Sequence, residues 1–110
     1  MKVEPYERRA IEVLCAGVVA PSALYAAIND PARIECRFTG AGYYLDIQHP
    51  GLPEDRVVLT EPTIVGIYQE KRVGFVVFLE NHTLTLECHS YGSGGVPPEI
   101  RNGTVRVSVA

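Results

Sequence analysis

Two kinds of hydrophobic pattern meet in residues 26–38, AAINDPARIECRF. Before Pro31, apolar residues recur at helical spacing, as Ile11, Leu14 and Val18 do at i, i+3 and i+7. After Pro31, apolar and polar residues alternate as in β-strands almost to the C-terminus. A helix followed by strands alone predicts an α+β domain, in which the helix packs on an antiparallel sheet.

Proline, glycine and asparagine residues divide the chain into two predicted helices and six or seven predicted strands. The first helix is expected over residues 5–19, because proline suits the first helical position. Pro21 ends this helix and begins a short second one that extends to residue 28. The expected strands cover residues 32–39, 43–48, 56–60, 63–69, 73–79, 83–90 and 104–109. Their short connections predict a meander, so we expect a curved antiparallel sheet or half-barrel of about five to seven strands.

Length and composition bound the class of protein. With 110 residues, the chain is predicted to form a single domain over residues 1–110. Hydrophobic residues make up 46% and charged residues 21% of the sequence, which excludes wholesale disorder. The net charge of -3 and the scattered positions of the ten lysines and arginines argue against a nucleic-acid partner.

The cysteines indicate the compartment. Cys15, Cys36 and Cys88 form no close pair in the sequence, so neither a disulfide framework nor a CxxC metal site is predicted. Reduced, buried thiols indicate a cytoplasmic protein, and we expect no metal and no cofactor. We expect no membrane partner, because no stretch approaches the roughly 20 apolar residues of a membrane span. A DNA-binding helix-turn-helix is disfavoured, since its recognition helix would fall on residues 22–29, which contain no Lys or Arg.

Two predicted strands are apolar on both faces, around residues 64–68 and 75–79. An antiparallel strand that is covered on one side only would alternate, so a second layer is expected on the other side. This second layer could be the short second helix, the long loops or a second copy of the chain. The alternative to a dimer is a closed monomeric core with these strands at its centre. We favour a homodimer, with a candidate interface formed by Ile64, Ile67, Tyr68, Phe75, Val77 and Phe78.

Strand parity predicts a polar outer face. The side chains expected to point outward include Arg37, Tyr44, Asp46, Glu87, His89 and Arg106. On a concave face, His89 would be an acid–base group oriented by Glu87 or Asp46, and an arginine would bind an anion. The alternative is a solvated face with cross-strand charge pairs, which is the default for an antiparallel sheet.

No strong catalytic motif is present in the sequence. Residues 92–95, GSGG, lack the Lys-Ser/Thr and the helix of a phosphate-binding loop, so a flexible or partner-contacting loop is predicted. We therefore favour a small non-catalytic homodimer that binds a protein partner or a small ligand of unknown identity. In size, charge and α+β layout the chain is similar to small acidic bacterial proteins such as toxin-neutralising immunity proteins, and to proteins carried on mobile gene cassettes, although no motif carries this likeness. The alternative function is a small-ligand-binding or enzymatic half-barrel that uses His89, Glu87 and Asp46.

Overall fold

Two helices pack on one face of a seven-stranded antiparallel sheet in the computed structural model, which describes residues 1–92 and 94–110. The predicted α+β class is confirmed, and the sheet is not closed. Ser93 lies outside the described residues, and the prediction of a flexible or partner-contacting loop at residues 92–95 falls partly on it. The elements in chain order are α1 (Pro5–Leu14), α2 (Pro21–Asn29), β1 (Arg33–Phe38), β2 (Gly42–Gln48), β3 (Val57–Leu59), β4 (Ile64–Tyr68), β5 (Lys71–Glu80), β6 (Thr83–Ser90), a 3-10 helix (Pro98–Asn102) and β7 (Arg106–Val109).

Helix α1 is shorter than its hydrophobic pattern predicts. It ends at Leu14 rather than near residue 19, and a turn follows in which Gly17 has a φ of +78°. A left-handed residue cannot continue a helix, and glycine adopts this conformation without steric cost. Val18 is consequently exposed, although Ile11 and Leu14 are buried as the pattern predicts.

Tight two-residue turns make the hairpins on either side of β5. Gln69 and Glu70 have φ values of +48° and +69°, and Asn81 and His82 have values of +51° and +59°. Two consecutive positive φ values fit the right-handed twist of the strands in a short hairpin. Strand β5 therefore begins at Lys71, two residues before the predicted start, and runs for ten residues.

Strand β5 lies near the centre of the sheet, whose order is β1-β2-β6-β5-β4-β7. One side of β5 pairs with β6 over residues 73–80. The other side pairs first with β4, through residues 71–74, and then with β3, through residues 77–79. Strands β3 and β4 thus run in the same direction and share one edge of β5.

Both helices cover the same face of the sheet. Ala10 and Ile11 of α1 join Leu24 and Ala27 of α2 in one cluster of buried side chains with the inward residues of the strands. The short second helix was one of the layers that could have covered the outer face of the sheet, but it packs on the other face. Helices α1 and α2 have ten and nine residues, so no helix in the described residues has the roughly 20 apolar residues needed to cross a membrane.

Candidate functional sites

A cross-strand charge pair occupies the outer face of β1 and β2. Arg37 donates from Nε to Oδ2 of Asp46 at 2.9 Å, and its guanidinium lies 4.9 Å from the centroid of the Tyr44 ring. Thr85 of β6 donates to Oδ1 of Asp46 at 2.6 Å. Burial acts to raise the pKa of Asp46, but the hydrogen bonds from Arg37 and Thr85 outweigh it and hold the pKa below its ordinary value. Both oxygens of this carboxylate are therefore already engaged.

His89 lies apart from that pair on the same face. It is opposite Gly42 on β2 and Gly74 on β5, whereas Asp46 is opposite Thr85, four residues away along β6. A separation of four strand residues is about 13 Å, so Asp46 cannot orient the imidazole. The ring lies over Gly74, where an added Cβ would be 2.6 Å from Nε2. Its Nδ1 atom is shielded from solvent and has no hydrogen-bond partner within residues 1–92 and 94–110.

The six polar residues predicted to form a pocket do not converge. Tyr44 is directly opposite both Arg37 and Glu87, so these residues and Asp46 are neighbours on β1, β2 and β6. Arg106 is on β7, at the opposite edge of the sheet from β1. The arrangement that results is a row of cross-strand contacts on β1, β2 and β6, with Arg106 apart from it.

The candidate interface residues divide between the two faces. Four of them, Ile64, Tyr68, Phe75 and Val77, point inward and are buried beneath the helices. Because successive strand residues point to opposite faces, they belong to the core and cannot form an outer interface. Ile67 and Phe78 point outward and are half-buried.

Five outward side chains form what we term the outer apolar patch, which spans β3, β4 and β5. Phe78 is paired with Val58, and the other members follow along β4 and β5. Val58 is 41% exposed and the other four are half-buried. No helix of the described part of the chain lies on this face, because both helices pack on the other one. The patch consists of Val58, Val65, Ile67, Val76 and Phe78.

A buried carboxylate lies between α1 and the sheet, and our sequence analysis did not find it. Glu7 is 0% exposed and forms two hydrogen bonds with Arg101, from Nε to Oε2 and from Nη2 to Oε1, both at 2.9 Å. Tyr43 donates to Oε2 at 2.6 Å and itself shares a hydrogen bond with the hydroxyl of Tyr6. The backbone N–H of Glu4 donates to Oε1 at 2.8 Å.

This network is closed and fully hydrogen-bonded at the carboxylate. Burial raises the pKa of Tyr43 and of Tyr6, and the Glu7 carboxylate raises both further. The hydrogen bond with Glu7 raises the pKa of Arg101, which is 12% exposed at its side chain. The network therefore joins α1 to the 3-10 helix, and Arg101 also donates to the backbone carbonyl of Lys2 at 2.7 Å.

One signal in the sequence pointed to Glu7. Glu7, Ile11 and Leu14 lie at i, i+4 and i+7, so the carboxylate is on the apolar stripe of α1. A charged residue on such a stripe indicates a buried partner. The sequence does not identify Arg101 as that partner, because Arg101 lies in a short 3-10 helix that has no periodic hydrophobic pattern.

The cysteines are free thiols in the core or beside it. Cys36 and Cys88 both point inward, but they lie on β1 and β6 with β2 between them, so they are not a contacting pair. Burial raises the pKa of Cys15 and of Cys88 to about 12. In the part of the chain that the structure describes, no group of three or more His, Cys, Asp or Glu residues is placed to hold a metal ion.

The buried thiols predict that the protein loses stability in alkali. In the unfolded chain a thiol ionises near its ordinary pKa of 9.0, whereas Cys15 and Cys88 hold their protons to about pH 12 in the folded state. Both states are protonated below pH 9, and above it only the unfolded state is stabilised by ionisation. The free energy of unfolding should therefore fall by up to about 1.4 kcal/mol per pH unit for each thiol.

Urea unfolding at pH 7, 9 and 10 measures this loss. The double variant Cys15→Ala/Cys88→Ala starts from a lower stability, because two core side chains are shortened, but its stability should decline less steeply between pH 9 and pH 10. Equal slopes for the variant and the parent protein would contradict the assignment of the loss to these thiols.

A groove of about 420 Å³ separates α1 from α2 on the side away from the outer apolar patch. Its walls are mainly apolar and include Cys15, Leu24 and Ile28, while Arg8 and Glu12 add one charge of each sign. Arg8 donates to Oδ1 of Asn29 at 2.5 Å, across the two helices. The side chain is thereby held at the wall of the groove.

Comparison with protein-family models, with curated proteins and with solved structures finds no match for this chain. Function must therefore be inferred from the surfaces of the molecule itself.

Proposed function

We propose that this protein is a non-catalytic interaction protein that forms a homodimer through the outer apolar patch. The observation that carries the proposal is the position of Val65, Ile67, Val76 and Phe78, which are apolar and point away from both helices. Apolar side chains grouped on a sheet face that no helix covers favour an interaction site there. Three free thiols favour a cytoplasmic setting.

A second copy of the chain is the occupant that the surface favours. A face-to-face dimer would bury the patch of each copy against that of the other, as in sheet-on-sheet packing. Dimers with a two-fold axis are the commonest oligomers, and they use the same surface on both copies. Exposed charges of opposite sign flank the patch along β5, Arg72 at one end and Glu80 at the other, which suits such an isologous contact.

The alternative of a ligand-binding or enzymatic site at His89 has less support. Asp46 is engaged by Arg37 and Thr85, and Arg106 lies on a distant strand. Glu87 is two residues from His89 on the same face, yet Nδ1 of the imidazole has no described partner. No described hydrogen bond at Nδ1 therefore orients the imidazole for acid–base chemistry.

Light scattering and analytical ultracentrifugation at several concentrations test the proposed dimer. The parent protein should have twice the monomer mass, and Phe78→Asp should be monomeric because it places a charge in the centre of the apolar contact. Tyr25→Asp is the matched control, since Tyr25 is an exposed aromatic residue on α2, away from the patch. A parent protein that stays monomeric at every concentration would overturn the proposal, as would a Phe78→Asp variant that dimerises like the control.

A further inference from the structure

The outward side chains of β5 carry opposite charges at the two ends of the strand. Reading along the strand, the outward positions are Arg72, Gly74, Val76, Phe78 and Glu80. A cation thus begins the row, an anion ends it and apolar residues lie between them. When a second copy of the row is laid over the first in the opposite direction, Glu80 of one row meets Arg72 of the other and the two Val76 residues meet at the centre. The row is therefore complementary in charge to an antiparallel copy of itself.

The neighbouring strand and loop extend this charge difference. At the Arg72 end, Ile67 of β4 pairs with both Arg72 and Arg106, so two exposed arginines flank one patch residue. At the Glu80 end, the loop residue Glu54 accepts a backbone hydrogen bond from Asn81, which brings a second acidic residue to the turn after β5. Arg56 lies 3.9 Å from Glu80 at an exposed position, and such surface pairs contribute little.

A two-fold axis in the plane between two stacked sheets has two limiting orientations with respect to β5. If the axis is parallel to β5, Arg72 of one copy faces Arg72 of the other and the two Glu80 residues also face each other. If the axis is perpendicular to β5 and passes near Val76, each Arg72 faces the partner's Glu80. Like charges repel and opposite charges attract, so the two Arg72–Glu80 pairs favour the second arrangement, although it also places the Glu87 carboxylates of the two copies across from each other.

We infer that the two β5 strands cross in antiparallel sense in the dimer, with each Arg72 paired to the partner's Glu80. The inference rests on the proposed function, because it specifies the geometry of the same interface. This crossing also brings Phe78 over the partner's Gly74. His89 and Tyr91 lie above that glycine, with ring centroids 5.4 Å apart, and would provide aromatic surface for Phe78.

Charge reversal tests the geometry. In Arg72→Glu and in Glu80→Arg, both inter-copy pairs become like-charged, so the dimer dissociation constant should rise about tenfold or more at low salt, and less at high salt. The double variant Arg72→Glu/Glu80→Arg restores two opposite-charge pairs and should return to within about threefold of the parent. Arg9→Glu is the matched control for Arg72→Glu, because it makes the same change of net charge at an exposed position on α1.

Each failure has its own signature. A parent protein that is monomeric overturns the proposed function itself. Strands in parallel sense would give a different result. Neither single reversal would then change the affinity of the dimer, and the parent protein would preferentially form a mixed dimer with Arg72→Glu. This result overturns the antiparallel crossing but not the proposed function. A double variant as weak as the single variants also overturns the Arg72–Glu80 pairing.

Cross-linking gives a second measurement that does not depend on charged variants folding. In a Cys36→Ser background, Arg72→Cys and Glu80→Cys are mixed and treated with a bis-maleimide that spans about 10 Å, the spacing of packed sheets. The antiparallel crossing predicts a cross-linked dimer in the mixture and little in either variant alone. Cross-linking of Arg72→Cys with itself would overturn the inference.

Discussion

Arg101→Met is expected to lower the free energy of unfolding by about 3–5 kcal/mol, since it leaves the Glu7 carboxylate buried without its charged partner. Glu7 is 0% exposed and receives two hydrogen bonds from Arg101. The remaining donors, Tyr43 and the Glu4 backbone, cannot neutralise a full negative charge. Urea denaturation monitored by circular dichroism measures the change.

Arg33→Met is the control for this prediction. Arg33 forms a salt bridge with Glu35 at 3.4 Å, but the two side chains are 67% and 52% exposed, so its loss should cost less than about 1 kcal/mol. The double variant Glu7→Met/Arg101→Met removes both charges and should be more stable than Arg101→Met alone, because no unpaired charge remains. If Arg101→Met costs no more than Arg33→Met, the network does not have the role described for it.

Gly42→Ala is expected to destabilise the protein by more than about 3 kcal/mol, at the severe end of single substitutions. A Cβ at this position would lie 1.8 Å from the backbone carbonyl oxygen of Cys88. A backbone atom within a strand cannot move aside as the end of a flexible side chain can. Accommodating the methyl group therefore requires β2 and β6 to separate where Gly42 pairs with His89. The melting temperature and the hydrogen exchange of the β6 amides measure the damage.

Gly94→Ala provides the matched comparison for that substitution. Its Cβ would lie 3.7 Å from Nζ of Lys71, an ordinary van der Waals distance, so stability should change by less than about 0.5 kcal/mol. A Gly42→Ala variant with the same melting temperature as Gly94→Ala would show that the strands tolerate the methyl group.

The faces of the strands and the mostly meander order of the sheet could be predicted from the sequence, but the pairings of β2 with β6 and of β4 with β7 could not. Alternation with the outward residues Tyr44, Asp46, Glu87 and His89 predicts an inward position for three of their neighbours, and the structure buries all three, Leu45, Leu86 and Cys88. Which strands are neighbours depends on contacts between distant parts of the chain, which no local pattern encodes. The pairing of β7 with β4 puts Arg106 far from Arg37, so these two residues of the predicted polar face are not neighbours.

The candidate interface shows the same limit. Runs such as residues 75–79 are apolar at every position, and this run alone does not say which residues face the helices. Pairing assigns the inward face, where Phe75 is opposite the buried Cys88 and Val77 is opposite Leu86. Phe78 is left outward opposite Thr85. The helices cover the inward face of these strands, and the outward face, for which we expected a second layer, is the one that we propose as the interface.

The hydrogen bonds between Glu7 and Arg101 also set an order of events during synthesis of the chain. The two residues are separated by 94 positions, so a ribosome makes nearly the whole sheet before the carboxylate of α1 can meet its cation. Until then α1 would have to bury an uncompensated charge in order to dock, which is unfavourable. Contacts of such long sequence separation form late and slowly. Docking of the first helix is thus expected to be among the last steps of folding, and the inner face of the nascent sheet would remain a substrate for chaperones until Arg101 has emerged.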